Sequence, residues 1–396
     1  MIRLDRTFIQ NPHDLYRRLR AEGPAARVVI WGAVPVWLIT RYTEARALLN
    51  DPRLSKDHAR MQTLFPPGTG GAHAFSIDAT MLQQDPPEHT RLRRLVVKAF
   101  TAGAVERMRP GIERITEELL DTLEGAAAVG PVDLVESLAR PLPLRVIGDC
   151  LGVPATMRDR FRTAVEPLLS SIRPDEVATA SAILTTLMRQ LIAQKRHDPG
   201  PDLLSALVDA RDNGDRLSEG ELLATTYLLI LAGYETTVNL IGNTVLALVQ
   251  NPSQLALLRD QPSLLPKAVD EFLRYEGPVN IATVRFTIVP IRVGDVDIPA
   301  NELVMIALSA ANRDDGQFDN PDRLDITRKP HSHLAFGHGI HYCVGAPLAR
   351  LEAEVALDRL LARFARITLD DTATLQYRIS TLTRALKSLP VQLIPR

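Results

Sequence analysis

The residues best suited to chemistry gather around one cysteine near the end of the chain. Cys343 is one of only two cysteines in 396 residues and lies in FGHGIHYCVGAPLARLEAEVAL, residues 336–357. Gly337 and Gly339 precede it and Gly345 follows it. An amphipathic helical pattern begins directly behind. A thiolate is a soft, strongly donating ligand for transition metals. The start of a helix offers it free N–H groups and the positive end of the helix dipole. Glycines let the backbone approach a flat, bulky object.

Zinc or an iron–sulfur cluster calls for more Cys or His at ligand spacing. Cys150 is far away, in an apolar helical context. A lone thiolate site therefore points to a cofactor that brings its other ligands, with haem leading that class. Taken as an isolated cysteine, Cys343 reads instead as a buried structural thiol beside a tight turn.

Composition sets the frame. The 46 basic and 47 acidic residues leave a formal charge of -1, which gives no reason to expect a nucleic-acid partner. MIRLDR carries charge from the start and shows no apolar secretory core. The uncharged run after Glu235 contains Asn239, Asn243 and Gln250, too polar for a membrane span. Two cysteines build no disulfide framework. A cytoplasmic protein without a membrane anchor is the expectation.

The elements that must position the cysteine are mostly helices. Residues 216–252 form the longest uninterrupted helical pattern, with Ser218 and Glu221 as a capping box and Asn251-Pro252 as its stop. Its middle is apolar nearly all round, so it belongs inside the molecule. Pro154 and Thr156 start an earlier helix, which Pro174 is expected to end. RVVIWGAVPVWLITR reads as a hairpin, and residues 285–314 as a second β region turning at Gly294-Asp295. FPPGTGG, residues 65–71, is a loop. No repeat or Gly/Ser linker divides the chain, so 1–396 reads as one mainly α domain with a small β portion.

Phe336-Gly337-x-Gly339-x-His341-x-Cys343-x-Gly345 matches the haem-ligand signature of the cytochrome P450 family at every fixed position. Three further motifs follow the family's order. AGYETT places Glu235 and Thr236 where the family carries an acid–alcohol pair. Glu271-Phe272-Leu273-Arg274 resembles its E-x-x-R, and ANRD with FDNPDRLD, at 311–314 and 318–325, resembles the segment after it. DPPEHTRLRRLVVKAFT, 85–101, is similar to the haem-facing helix of soluble bacterial, actinobacterial-type, ferredoxin-dependent members. The resemblance covers essentially the whole chain. It implies a single P450 domain whose long central helix crosses the haem.

The resemblance also assigns roles. Cys343 becomes the axial ligand of haem b, with Phe336, Gly337 and Gly345 shaping its turn. His89, Arg93, Arg285 and His341 hold the propionates. His89 and Arg93, four apart, share a helix face, which otherwise reads as solvated and basic. Glu271 and Arg274 with Arg323 form a structural cluster. The activity implied is O2-dependent hydroxylation, or other oxidation, of a lipophilic steroid, terpenoid or macrolide-like molecule. Oxidative coupling or rearrangement by the same activated oxygen, or a non-catalytic haem sensor, are the alternatives. Thr236 is expected to hold oxygen and an ordered water, and Glu235 to supply protons. Leu228, Leu231, Ala232, Asn280, Ile281 and Leu382 are the substrate-pocket candidates, Asn280 as a polar anchor. Electrons come from NAD(P)H through a ferredoxin and its reductase. Arg94, Lys98, Arg350 and Arg359 are candidates for the basic patch that receives the ferredoxin.

Overall fold

The long helix shows most directly how sequence becomes architecture. In the computed structural model, which describes all residues except 31–33, 67–79, 171–172, 213–216, 330–331 and 373, this helix runs Glu219–Gln250. Ser218 Oγ accepts the Glu221 N–H and the Glu221 carboxylate accepts the Ser218 N–H, the expected capping box. Both donors are helix-end groups that would otherwise lack partners. Asn251 caps the other end, and Pro252 opens the next helix rather than only stopping this one. Residues 222–230 and 237–248 are buried without interruption. Between them only Tyr234 is fully buried, and there the helix opens onto a cavity.

The helices Pro141–Cys150, Leu265–Glu276 and Ala346–Arg363 pack against this axis. Their buried Leu, Ile and Val side chains form the main core. Among the described residues no helix is long and apolar enough to cross a membrane.

One expected boundary is wrong. The helix after Pro154 runs Arg158–Ser170 with Pro167 inside it. Pro174 does not end that helix but is the first residue of the next, Pro174–His197. Proline has no N–H to lose in a first turn, and its fixed φ suits that turn.

Six strands form one mixed sheet. In spatial order they are Ile2–Arg3, Ala25–Ile30, Val34–Ile39, Leu303–Ile306, Arg285–Thr287 and Leu54–Ser55. Ala25–Ile30 and Val34–Ile39 are the predicted hairpin. Ile291–Val293 and Val296–Ile298 pair across Gly294-Asp295 as expected. A third sheet, from Val132–Asp133, Phe364–Leu369 and Pro390–Pro395, was not read from the sequence.

The structure corrects the expected Glu–Arg–Arg cluster. Arg274 Nε and Nη2 donate to Glu271 Oε2 and Oε1 at 2.7 and 2.8 Å. The second arginine is Arg328, whose Nε lies 3.2 Å from both Glu271 oxygens. Arg323 is exposed and contributes only its backbone carbonyl, which accepts from Arg274 and Arg328. The cluster reaches the cysteine turn through short steps. Arg274 Nη1 donates to the Asn312 carbonyl, Asn312 Oδ1 accepts the Leu334 N–H, and the Leu334 carbonyl accepts the Gly337 N–H.

Arg328→Ala leaves Glu271 its pair with Arg274 but removes the second guanidinium and the donors to the Asp319, Asn320 and Arg323 carbonyls, charge-assisted bonds worth about 1.5–3 kcal/mol. Arg328→Ala should therefore lower stability by about 2 kcal/mol, and Arg323→Ala by no more than about 0.5 kcal/mol. Chemical denaturation of both variants checks the assignment; equal effects would return the role to Arg323.

Candidate active site

Cys343 stands at the end of a tight turn held by its own backbone. The Gly337 N–H donates to Leu334, the Tyr342 N–H to Gly339 and the Cys343 N–H to Phe336. Gly337 and Gly339 have φ of 73 and 74°, where a side chain is strained. A Cβ at Gly339 would also lie 2.3 Å from Asn50 Oδ1. Gly345 has an ordinary φ of -82° and caps the Ala346–Arg363 helix, and a Cβ there would sit 3.9 Å from the Cys343 sulfur.

The sulfur is exposed by area, yet that area is cavity wall, and the surrounding protein screens it from bulk water. Burial pushes the thiol up from its usual range, while N–H groups of Gly345 and Ala346 and the charges of Arg93 and Arg350 pull it down.

The cavity holds ≈ 1490 Å³ of unfilled space, its open mouth included. Lys56, His89, Arg93, Arg285 and His341 all line it. Lys56, His89 and Arg285 are buried. Arg93 Nη2 donates to the Tyr342 carbonyl at 2.6 Å, and Arg285 Nη1 to that of Thr283 at 2.9 Å. The rings of His89 and His341 lie 4.2 Å apart, and the buried Nδ1 of His89 has no partner. Among the described residues none of the five forms an ion pair. Each is pulled down from its usual pKa by burial first, Lys56 well down and His89 to about 4; neighbouring positive charge adds to this at Lys56, His89 and His341. Such a cluster is complementary to carboxylates brought by a ligand.

The long helix forms another wall with Leu228, Ala232, Gly233 and Thr236. Thr236 Oγ1 donates to the Ala232 carbonyl at 2.6 Å, which leaves its lone pairs toward the cavity. Glu235 is absent from the lining; its carboxylate lies 3.4 Å from Thr383 Oγ1. Burial raises its pKa to about 7. Tyr234 packs in the main core and does not line the cavity.

The substrate candidates divide. Leu228 and Ala232 line the cavity, whereas Leu231, Asn280, Ile281 and Leu382 do not. Asn280 is no polar anchor: its Oδ1 accepts from the Tyr16 hydroxyl at 2.9 Å and its Nδ2 donates to the Thr381 carbonyl. Ile281 is buried in a second core with Leu382 against it. Their neighbours Val279, Ala282 and Thr283 face the cavity instead. Met81 and Leu82 line it from the segment before the His89 helix. Much of that segment, 67–79, lies outside the described residues.

Two residues on the cavity were missed. Lys56 follows the short strand Leu54–Ser55 and has no recognisable motif around it. Glu352 is fully buried, its Oε2 unpartnered and its pKa pushed to about 8 by burial. Its signal was available, because it lies four residues after Leu348 and four before Ala356 on an apolar helix face.

The expected basic patch is also reduced. Arg350 donates to Asp270 at 2.8 Å and covers the Phe336 ring, and Arg359 is paired with Glu113 and Glu117.

A sequence profile of the family described as Cytochrome P450 matches residues 175–393. The chain is also 50% identical to Cytochrome P450 107B1 of Saccharopolyspora erythraea, covering 99% of this chain and 97% of that one. The chain belongs to the cytochrome P450 family. The polyketide biosynthesis cytochrome P450 PksS of Bacillus subtilis is 38% identical over 98% of this chain and 96% of its own. The solved structure of the tirandamycin C-bound P450 monooxygenase TamI superposes with a TM-score of 0.90, at 47% identity, over 99% of this chain and 100% of that one. As a P450 the protein is a haem- and O2-dependent monooxygenase of lipophilic small molecules. Its electrons come from a redox partner, as in bacterial P450s.

The turn geometry yields a direct test. Gly339→Ala combines a disfavoured φ with a collision at Asn50, so it should lower stability by about 1–3 kcal/mol. Gly345→Ala, with ordinary φ and room for a methyl, should cost less. Urea unfolding of the two variants measures the difference.

Proposed function

We propose that Cys343 is the axial haem ligand, that His89, Arg93, Arg285 and His341 hold the propionates, and that Thr236 and Glu235 deliver protons. The observation that carries this reading is the sulfur facing a cavity whose five basic side chains have no ion-pair partner among the described residues and are complementary to an acidic ligand. The unpartnered His89 Nδ1 and the Gly345 gap beside the sulfur fit the same group. Bound there, haem supplies the binding and reductive activation of dioxygen, with thiolate donation favouring O–O cleavage.

The protein's own groups do the rest. Backbone N–H groups at the start of the Ala346–Arg363 helix stabilise the thiolate. Thr236 accepts a hydrogen bond from water in the cavity. Glu235, held near neutrality, carries protons from the Thr383 side of the long helix toward Thr236. Leu228, Ala232, Val279 and Ala282 exclude bulk water and grip an apolar substrate. The substrate class we infer is a polyketide-like molecule, by analogy with the related PksS and the tirandamycin C-bound enzyme. A ferredoxin, reduced by its reductase, docks on the cysteine side, where Lys98 is exposed. The whole of 1–396 acts as one cytoplasmic domain.

Replacing Cys343 with Ser should abolish the thiolate signature of the ferrous–CO spectrum; an unchanged spectrum would remove Cys343 as ligand. Thr236→Ala should keep haem and reduction but divert electrons to peroxide, which product formed per NADPH measures.

Glu235 adds a pH dependence with a defined sign. Its raised pKa keeps it protonated below about 7 and ionised above. Product formed per NADPH should fall as pH rises through about 7. Glu235→Gln should flatten that profile and slow turnover roughly a hundredfold. A wild-type profile in the variant would exclude Glu235 as the donor.

A further inference from the structure

We propose that Lys56 is a further anion-binding residue of this site, its ammonium pairing with a haem carboxylate beside Arg285. The inference rests on the haem reading above and adds a residue that no motif of the family resemblance marks.

The sheet register makes the case. Leu54 pairs with Thr287 and Ser55 with Phe286, antiparallel. Lys56 follows directly past the strand end, where continuing that register brings it toward Arg285, whose charge it feels. Like charges directly across a sheet repel, and both side chains here are buried, at 2 and 4% exposure. Thr283 brackets them: its hydroxyl accepts from Lys56 Nζ at 2.6 Å, its carbonyl from Arg285 Nη1 at 2.9 Å.

The nearest acid is otherwise engaged. Asp85 Oδ1 takes the Lys56 backbone N–H, and Oδ2 the Ser55 hydroxyl. That leaves the ammonium one hydrogen-bond acceptor and no ion pair among the described residues. His89 and His341, on the same wall, feel its charge. A fold tolerates two neighbouring buried cations where an anion offsets them. A haem carboxylate entering this cavity supplies that anion within reach of Lys56, Arg285 and the histidines.

The rival role is structural, a buried amine that merely holds the Thr283 hydroxyl. Haem transfer from the ferric holoenzyme to excess apomyoglobin separates the two. Lys56→Met should release haem roughly ten- to a hundredfold faster, the loss of one hydrogen-bonded charge pair. Its haem midpoint potential should become more negative, because a nearby positive charge has gone. Thr283→Val, which keeps the ammonium, should change both readouts less. Lys56→Arg should restore retention, and it decides the matter where the methionine variant holds too little haem to measure. Lys56→Met and Thr283→Val behaving alike would overturn the proposal in favour of the structural role. Wild-type release from Lys56→Met, alongside faster release from Arg285→Met, would overturn it for Lys56 alone. Wild-type release from both would show that the propionate reading itself fails.

Discussion

The structure depends on one electrostatic constraint: five basic side chains line a largely apolar cavity, and among the described residues no acid is paired to them. Burying a charge without a partner is among the costliest acts in folding. The arrangement is therefore unfavourable by itself and becomes favourable only with a ligand that is acidic at one edge and apolar elsewhere. The depressed pKa values of Lys56, His89 and His341 express this cost, since each is lowered by burial and by the others' charge. An acidic ligand edge reverses the second cause and offsets the first. Haem affinity and fold stability are in this sense one quantity.

The cysteine is held in place from the opposite direction, by charges that are fully paired. Glu271, Arg274 and Arg328 satisfy one another, and their spare donors bind backbone carbonyls between Asn312 and Arg323. Asn312 passes this order to Leu334, and Leu334 to Gly337. A paired cluster of this kind contributes fixed geometry more than net stability. The contrast between paired charges behind the turn and unpaired ones in front of it divides scaffold from binding site.

What was legible in the sequence was local. The capping box, the Gly294-Asp295 hairpin and the cysteine turn each depend on residues a few positions apart, and each stands where it was expected. What was not legible depends on tertiary choice. Arg323 and Arg328 are five apart in an irregular segment, and only the path of that segment decides which side chain reaches Glu271. Asn280 lies beside cavity-lining Val279, but the backbone turns its amide to Tyr16. Lys56 joins the site through a strand register with a segment over two hundred residues away. The third sheet unites the C-terminal strands with Val132–Asp133, for which two residues carry no periodic signal. Pro174 was read as an end because proline punctuates helices at both ends, and sequence alone does not say which.

The loss of Asn280 as an anchor changes how selectivity must arise. Beyond the basic cluster, the wall toward the long helix offers Thr236, which the proposed chemistry uses, and otherwise mostly aliphatic side chains. A hydrophobic pocket distinguishes ligands differing by a methylene by only about 1–3 kcal/mol, whereas a buried hydrogen-bonding site rejects a mismatched ligand far more strongly. Among the described residues, orientation of an apolar substrate then rests mainly on shape, set by Leu228, Val279 and Ala282 around the opening in the long helix. Glu235 lies behind this wall, where burial raises it to about 7 and the Thr383 hydroxyl partly offsets the shift. A polar donor placed beside Glu235 would counter that burial, lower its pKa and weaken it as an acid near neutral pH.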